Sequence, residues 1–166
     1  MSDGTEPGDA DLVLRPAVPE EVAALVEVQL LARRAAAMPA PLRGPGALRD
    51  RWKERLSSSD EVWVAELQGE VVGCLLLTET WLDDLYVLPS TSGRGVGSAL
   101  LDLAKSLRPR GFGLYVLEGN DRALGFYLGR GLVVVAHHPD GGGADAREEG
   151  GHPDVELTWE GDVGPR

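Results

Sequence analysis

The residues of this chain whose types and spacing suggest chemistry most directly are those of Leu85-Tyr-Val-Leu-Pro-Ser-Thr-Ser-Gly-Arg-Gly-Val-Gly-Ser-Ala-Leu-Leu101: a strand, a proline, a glycine-rich turn and then a helix. Gly93, Gly95 and Gly97 let the backbone turn tightly and let a ligand approach with no Cβ in the way. The helix start beyond them presents N–H groups that have no intrahelical acceptor, together with the positive end of a dipole. Such a turn binds a phosphate or pyrophosphate by geometry. An ordinary glycine-rich turn has the same spacing, so the flanking residues must decide. A nucleotide-hydrolysing loop needs Gly-Lys-Ser/Thr after the glycines, and Gly97-Ser98-Ala99 has no lysine.

A dinucleotide-binding turn of the Rossmann kind is one alternative. Glu118 ends the next strand, 21 residues beyond Gly97, where a ribose-binding acid is expected. Counted from Gly93, however, the third glycine position is Ser98, and no second half of a doubly wound sheet follows Glu118. Other reactive residue types carry less. Cys74 is the only cysteine and lies in an apolar run, so it reads as a buried structural thiol and excludes an intramolecular disulfide or a multi-cysteine zinc site. His137, His138 and His152 show no metal-ligand spacing; no metal is expected, and no role is assigned to the pair at 137 and 138.

The elements that must position this turn follow from periodicity. Leu12 to Arg15 reads as a first strand. Pro19-Glu20-Glu21 opens a helix running to about Ala37 with Val22, Leu25, Val26 and Leu30 on its apolar face. A second helix, about Pro45 to Leu56, carries Leu48, Trp52 and Leu56. Strands Glu61 to Leu67, Val71 to Thr78 and Trp81 to Leu88 form an antiparallel meander, the middle one apolar nearly throughout and hence central. A helix with Leu100, Leu103, Ala104 and Leu107 follows the glycine turn. Then come strand Phe112 to Leu117, helix Asp121 to Leu128, strand Leu132 to His137, an acidic glycine-rich loop from Asp140 to Gly151, and strand Val155 to Trp159. The order β-α-α-β-β-β-α-β-α-β-β describes an α/β (α+β) domain: a mixed, mostly antiparallel sheet flanked by helices.

Length and charge bound the rest. The 166 residues fit one domain, expected over 11–160 between a disordered tail at 1–10 and a short tail at 161–166. The formal net charge of −11 and pI of about 4.6 argue against non-specific binding to nucleic acid or an anionic membrane. The sequence has no apolar run approaching the roughly 20 residues of a membrane span and no signal-peptide pattern, so the expectation is a cytoplasmic protein. The charge is uneven: residues 1–11 carry −4 and 136–166 carry −6, while 12–60 carry +2 and 61–135 carry −3. Most of the acid therefore lies outside the glycine turn's own neighbourhood, and if the Asp140 to Gly151 loop borders a substrate site, a cationic substrate is favoured.

Ser92-Gly-Arg-Gly-Val-Gly97, with Leu-Tyr-Val-x-Pro before it, resembles motif A of the GNAT acyltransferase superfamily, Gln/Arg-x-x-Gly-x-Gly/Ala. Gly119-Asn-Asp-Arg-Ala-Leu-Gly-Phe-Tyr-Leu-Gly-Arg-Gly-Leu132 resembles the same family's Asn-x-x-Ala-x-x-Phe-Tyr-x-x-x-Gly-Phe signature, and Asn120 is the only asparagine in the chain. The likeness covers about residues 11–160. It implies a GNAT-like fold and acetyl-CoA, or another acyl-CoA, bound where two strands splay apart. By that resemblance Leu85, Tyr86 and Val87 offer backbone groups to the pantetheine arm and the thioester. Ser92, Gly93, Arg94, Gly95, Val96, Gly97 and Ser98 wrap the pyrophosphate, and Asn120 bonds the pantetheine arm. Ser92 departs from the family's Gln or Arg, which removes one side-chain contact to phosphate.

The implied reaction is direct attack of a primary amine, of a small molecule or a peptide, on the thioester. A lysine-like amine has a pKa near ~10.4 and must first lose a proton. The resemblance makes the Val87 N–H the oxyanion donor and Tyr127 the general acid; packing of the Tyr127 ring on the sheet is the alternative. For the base, one branch of the family uses a Glu five residues before the Asn, but Tyr115 stands there. Other branches use a carboxylate on the strand before motif A, which points to Asp83 or Asp84. Strand alternation puts these two on opposite faces, with Asp83 sharing its face with Leu85 and Val87; Asp83 is the expected base, against a solvated acidic pair, and Glu118 is a third candidate. Arg33 and Arg34 suit an acceptor carboxylate or the helix dipole, and Trp52 and Trp81 a pocket wall or the core. A homodimer and a monomer both fit the single-domain size. A GNAT-like module that binds acyl-CoA without turnover is the principal alternative to the enzyme.

Overall fold

The computed structural model describes residues 11–39, 44–142 and 151–162. The expected tail at 1–10 and most of the acidic loop lie outside them. The elements are β1 (Leu12–Pro16), α1 (Val22–Ala35) after a 3₁₀ turn at Pro19–Glu21, α2 (Pro45–Ser57), β2 (Glu61–Leu67), β3 (Glu70–Leu77), β4 (Leu82–Val87), α3 (Val96–Leu107) after a 3₁₀ turn at Pro89–Thr91, β5 (Phe112–Leu117), α4 (Asp121–Leu128), β6 (Val133–His138) and β7 (Asp154–Trp159). The order is the one the sequence periodicity predicts. Among the described residues no helix is long and apolar enough to cross a membrane.

The strands form two sheets, ordered β1-β2-β3-β4 and β5-β7-β6, antiparallel throughout. This rules out a doubly wound parallel sheet and with it the Rossmann reading. Gln68 and Gly69, both at positive φ (53° and 79°), make the tight β2–β3 turn, the backbone twist a two-residue hairpin favours. β3 is buried along nearly its whole length, as its apolar run requires.

Among the described residues the backbones of the two sheets join at one bridge. Trp81 and Gly113 make a single parallel bridge, and the Gly113 N–H donates to the Thr80 carbonyl at 3.0 Å. A Cβ at Gly113 would lie 2.5 Å from the Trp81 ring, so only glycine lets the indole cross there. Beyond that bridge β4 and β5 run on as the facing edges of separate sheets, and a gap opens toward Val87 and Leu117.

Each face of the first sheet has its own core. Leu25, Val28, Trp52, Val62, Val64, Cys74 and Leu76 pack under α1 and α2. Leu75, Leu77, Leu82, Leu100, Leu101, Leu114 and Leu157 pack with α3, alongside Tyr127 of α4. Alternation along β3 feeds both, and each fully buried leucine or valine contributes roughly 1.5–3 kcal/mol. These two layers cover β4 on both faces, and beyond the Trp81–Gly113 bridge no ladder joins it to β5 among the described residues.

Candidate active site

The glycine turn begins where β4 is last held by β3. The Leu88 N–H donates to the Val72 carbonyl at 2.8 Å, and the Thr91 hydroxyl donates to the Leu88 carbonyl at 2.8 Å. Gly93 and Gly95 take φ of 82° and 77°, the left-handed region, and a Cβ on either would meet no atom within 4 Å. The glycines are therefore needed for conformation, and the space above them is open. Gly95 caps α3 without a side-chain bond, and the first helical N–H to find an acceptor is that of Ala99, on the Gly95 carbonyl at 3.0 Å. The N–H groups of Val96, Gly97 and Ser98 have no intrahelical acceptor. The Ser92 and Arg94 N–H groups are already used, on the Pro89 and Thr91 carbonyls at 3.1 and 3.2 Å, so the backbone donors left over in this turn are those of Gly93 and of Gly95 through Ser98.

The β4 backbone feeds the same gap. In an antiparallel strand, residues two apart direct their N–H groups the same way. Since Leu88 bonds to β3, so does Tyr86, and the N–H groups of Leu85 and Val87 point away from β3 toward β5. Asn120 caps α4: its side-chain oxygen accepts the Ala123 N–H at 3.3 Å. Tyr127, also on α4, is only 8% exposed. Burial raises its phenol pKa well above the usual value, and the charge of Asp84 adds to this. The phenol therefore keeps its proton throughout the physiological range.

Asp83 is not where alternation puts it. The β3–β4 register slips between Leu76 and Leu77: Leu76 pairs with Asp84 and Leu77 with Leu82, leaving Asp83 as the extra residue of a bulge. Asp83 and Asp84 consequently both turn toward α2, where Arg55 meets Asp83 at 3.5 Å and Arg51 meets Asp84 at 2.7 Å. Asp83 thus shares its face with Asp84 and not with Leu85 and Val87. Asp84 is buried (4% exposed). Glu118 is exposed at the end of β5. Arg33 is buried and donates to the Pro39 carbonyl at 2.9 Å, which ties down the chain after α1. Trp52 is fully buried and donates to Gln29 at 2.9 Å, a core role. Cys74 is a buried free thiol whose pKa burial pushes far up.

Two groupings escape the sequence. At the joined end of the gap the Trp81 and Tyr115 rings stack at 4.8 Å, and His138 meets Tyr115 edge-on at 5.9 Å. His138 Nε2 lies 3.0 Å from Glu156 Oε1, and Glu156 is the cross-strand partner of Tyr115. Burial first, then the charges of Glu156, Asp154 and Asp83, raise the Tyr115 pKa. At the other end, Arg122 donates to the Ser92 hydroxyl, and Arg130 donates to the Ser98 hydroxyl at 2.6 Å.

Comparison with known proteins shows what the arrangement is similar to. Residues 58–131 match the model described as "Acetyltransferase (GNAT) domain", a span from before β2 to the end of the helix bearing Tyr127. The solution structure of apo-form YjaB from Escherichia coli superposes with a TM-score of 0.72 at 26% identity, covering 91% of this chain and 99% of that one. Residues 58–131 are thus similar to a GNAT acetyltransferase domain, and the chain shares the fold of that solved relative. The peptidyl-lysine N-acetyltransferase YjaB of Salmonella typhimurium is 40% identical over 75 residues, 45% of this chain and 51% of that protein. The chain spans about half the length of the curated relatives it matches. The PaiA N-acetyltransferase of Thermoplasma acidophilum, solved in complex with coenzyme A, shares the fold with a TM-score of 0.69 at 16% identity, covering 90% of this chain and 99% of that one.

Proposed function

We propose that this chain is a GNAT enzyme, an acetyl-CoA-dependent N-acetyltransferase acting on the primary amine of a small molecule or peptide. The observation that carries the reading is the β4–β5 gap with a backbone anion cradle at its open end: a slot between two strand edges, continuous with N–H groups suited to a pyrophosphate. The residues fit the co-substrate. Ser92 to Ser98 hold the phosphates, and Leu85 to Val87 and Asn120 line the pantetheine arm. Bound there, acetyl-CoA supplies an activated acetyl group.

The protein's own groups do the rest. The amine arrives protonated and must lose a proton. Asp83, paired with Arg55 and facing the α1–α2 side, accepts that proton directly or through water, or holds the ammonium beforehand. The Val87 N–H stabilises the negative charge that develops on the thioester oxygen. Tyr127, its proton retained by burial, donates to the departing thiolate. The acceptor is a cationic amine: Trp81 and Tyr115 supply aromatic surface, and Asp83 and Glu156 supply charge. The name of the YjaB relative, a peptidyl-lysine N-acetyltransferase, agrees with such an acceptor.

The test is thiol release from acetyl-CoA over a panel of basic, neutral and acidic amines. Turnover restricted to basic amines is expected. Tight CoA binding without turnover of any amine would replace the enzyme by a binding module.

A further inference from the structure

Most of the partly buried arginines in this acidic protein are matched to carboxylates. Arg15 pairs with Glu21 and Glu66, Arg51 with Asp84, Arg55 with Asp60 and Asp83, and Arg108 with Glu61. The arginines around the glycine turn are matched differently. Arg122, in the first turn of α4, donates to the hydroxyl of Ser92, the first residue of the turn. Arg130, just after α4, donates through Nε and Nη2 to the hydroxyl of Ser98, the last residue, at 3.2 and 2.6 Å. Its guanidinium also lies 4.0 Å over the Phe126 ring, with Nη1 on the Phe126 carbonyl at 3.3 Å. Among the described residues no ion pair involves Arg94, Arg122 or Arg130.

In a chain with 27 acidic side chains, positive charge gathered on neutral hydroxyls is notable. The serines fix the position of the guanidinium groups without cancelling their charge, and each guanidinium has five N–H donors, more than these contacts use. Each serine also keeps its own hydroxyl proton for donation elsewhere. The result is a row of backbone N–H groups flanked at both ends by guanidinium groups that pair with no carboxylate among the described residues.

We propose that Arg122 and Arg130 are phosphate-binding residues of the acyl-CoA site, positioned at its two ends by Ser92 and Ser98. The inference rests on the acyl-CoA reading of the same turn. It also gives Ser92 a purpose: where a longer side chain is missing at the head of the turn, Arg122 reaches in from α4 to the same place. The ligand chemistry is a polyanionic phosphate ester, so the arginines recognise the nucleotide end of CoA and not the pantetheine end.

The experiment is calorimetric titration of the wild type, Arg122→Ala, Arg130→Ala and Arg122→Lys with CoA and with pantetheine, at low and moderate salt, after unfolding curves show the variants folded. Each alanine variant is expected to bind CoA about 10-fold more weakly, the weight of one charge-assisted contact. Salt dependence should become shallower, pantetheine binding should not change, and Arg122→Lys should recover part of the loss. Wild-type affinity for CoA in both alanine variants would overturn the proposal, and so would equal losses of CoA and pantetheine, which indicate damage to α4. A wild type that binds pantetheine but not CoA, or neither, would overturn the acyl-CoA reading itself, a result distinct from failure of the arginines alone.

Discussion

The two ends of β4 are built by different means. At the Val87 end the site is made of backbone: strand N–H groups aimed into the gap, two glycines at positive φ, and the bare start of α3. At the Trp81 end it is made of side chains from β5, β6, β7 and the turn before β4, gathered over Gly113. Backbone suits a ligand that is the same in every reaction cycle, because its N–H groups are fixed by the fold, and the proposed Arg122 and Arg130 contacts add charge to that frame. Side chains suit an acceptor that differs between proteins. On the proposed reading, the contrast lets a chain of net charge −11 hold a polyanion at one end and attract a cation at the other.

Substitutions can break this division. Tyr127→Phe should have the largest effect, lowering kcat by about 10²–10⁴-fold, the usual range for a lost general acid, with CoA affinity unchanged; steady-state kinetics beside a binding titration separates the two. Gly95→Val comes next. A β-branched residue resists φ of 77° at a cost of about 1–2 kcal/mol and misdirects the N–H cradle, so CoA affinity should fall on the order of 100-fold by calorimetry. Glu156→Gln acts at the other end: KM for a basic amine should rise about 10-fold with KM for acetyl-CoA unmoved. A Gly95→Val loss that appears in amine KM instead, or a Glu156→Gln loss in CoA affinity, would dissolve the division.

The smallest expected effect lies away from both ends. Arg15 grips Glu21 through two contacts, at 2.8 and 2.7 Å, and lowers its pKa; the Val18 N–H adds to this at 3.0 Å. A carboxylate whose folded pKa is lowered stabilises the fold above its unfolded pKa, and that contribution is lost as pH falls through the folded value. Glu21→Gln should therefore cost about 1 kcal/mol at neutral pH, with the difference from wild type vanishing in acid and no change in KM for either substrate. Denaturant unfolding at several pH values measures it.

The same division decides what is readable in the sequence. The glycine turn is contiguous, and its conformation is one that glycine spacing announces, so the strand, turn and helix around Ser92 to Ser98 could be read from the residue order. The element order was likewise legible, because apolar periodicity and turn residues agree along nearly the whole chain. Asp83 was misplaced because alternation assumes an unbroken strand, and nothing in Leu82-Asp83-Asp84-Leu85 marks a bulge. The Tyr115–Glu156–His138 grouping depends on β7 inserting between β5 and β6, and local sequence does not write strand order. Arg122 and Arg130 stand in an exposed helix and turn where arginine is ordinary; only the approach of α4 to the glycine turn gives them meaning.

The central claim is that the β4–β5 gap and its glycine turn form an acyl-CoA site. An amide NMR titration with CoA tests it most directly, since the claim concerns backbone N–H groups. The account predicts that the amides of Leu85, Val87 and Gly93 through Ser98 shift saturably, while those of α1 stay still. Saturable shifts confined to other elements, or none at CoA concentrations that saturate an active acetyltransferase, would contradict it.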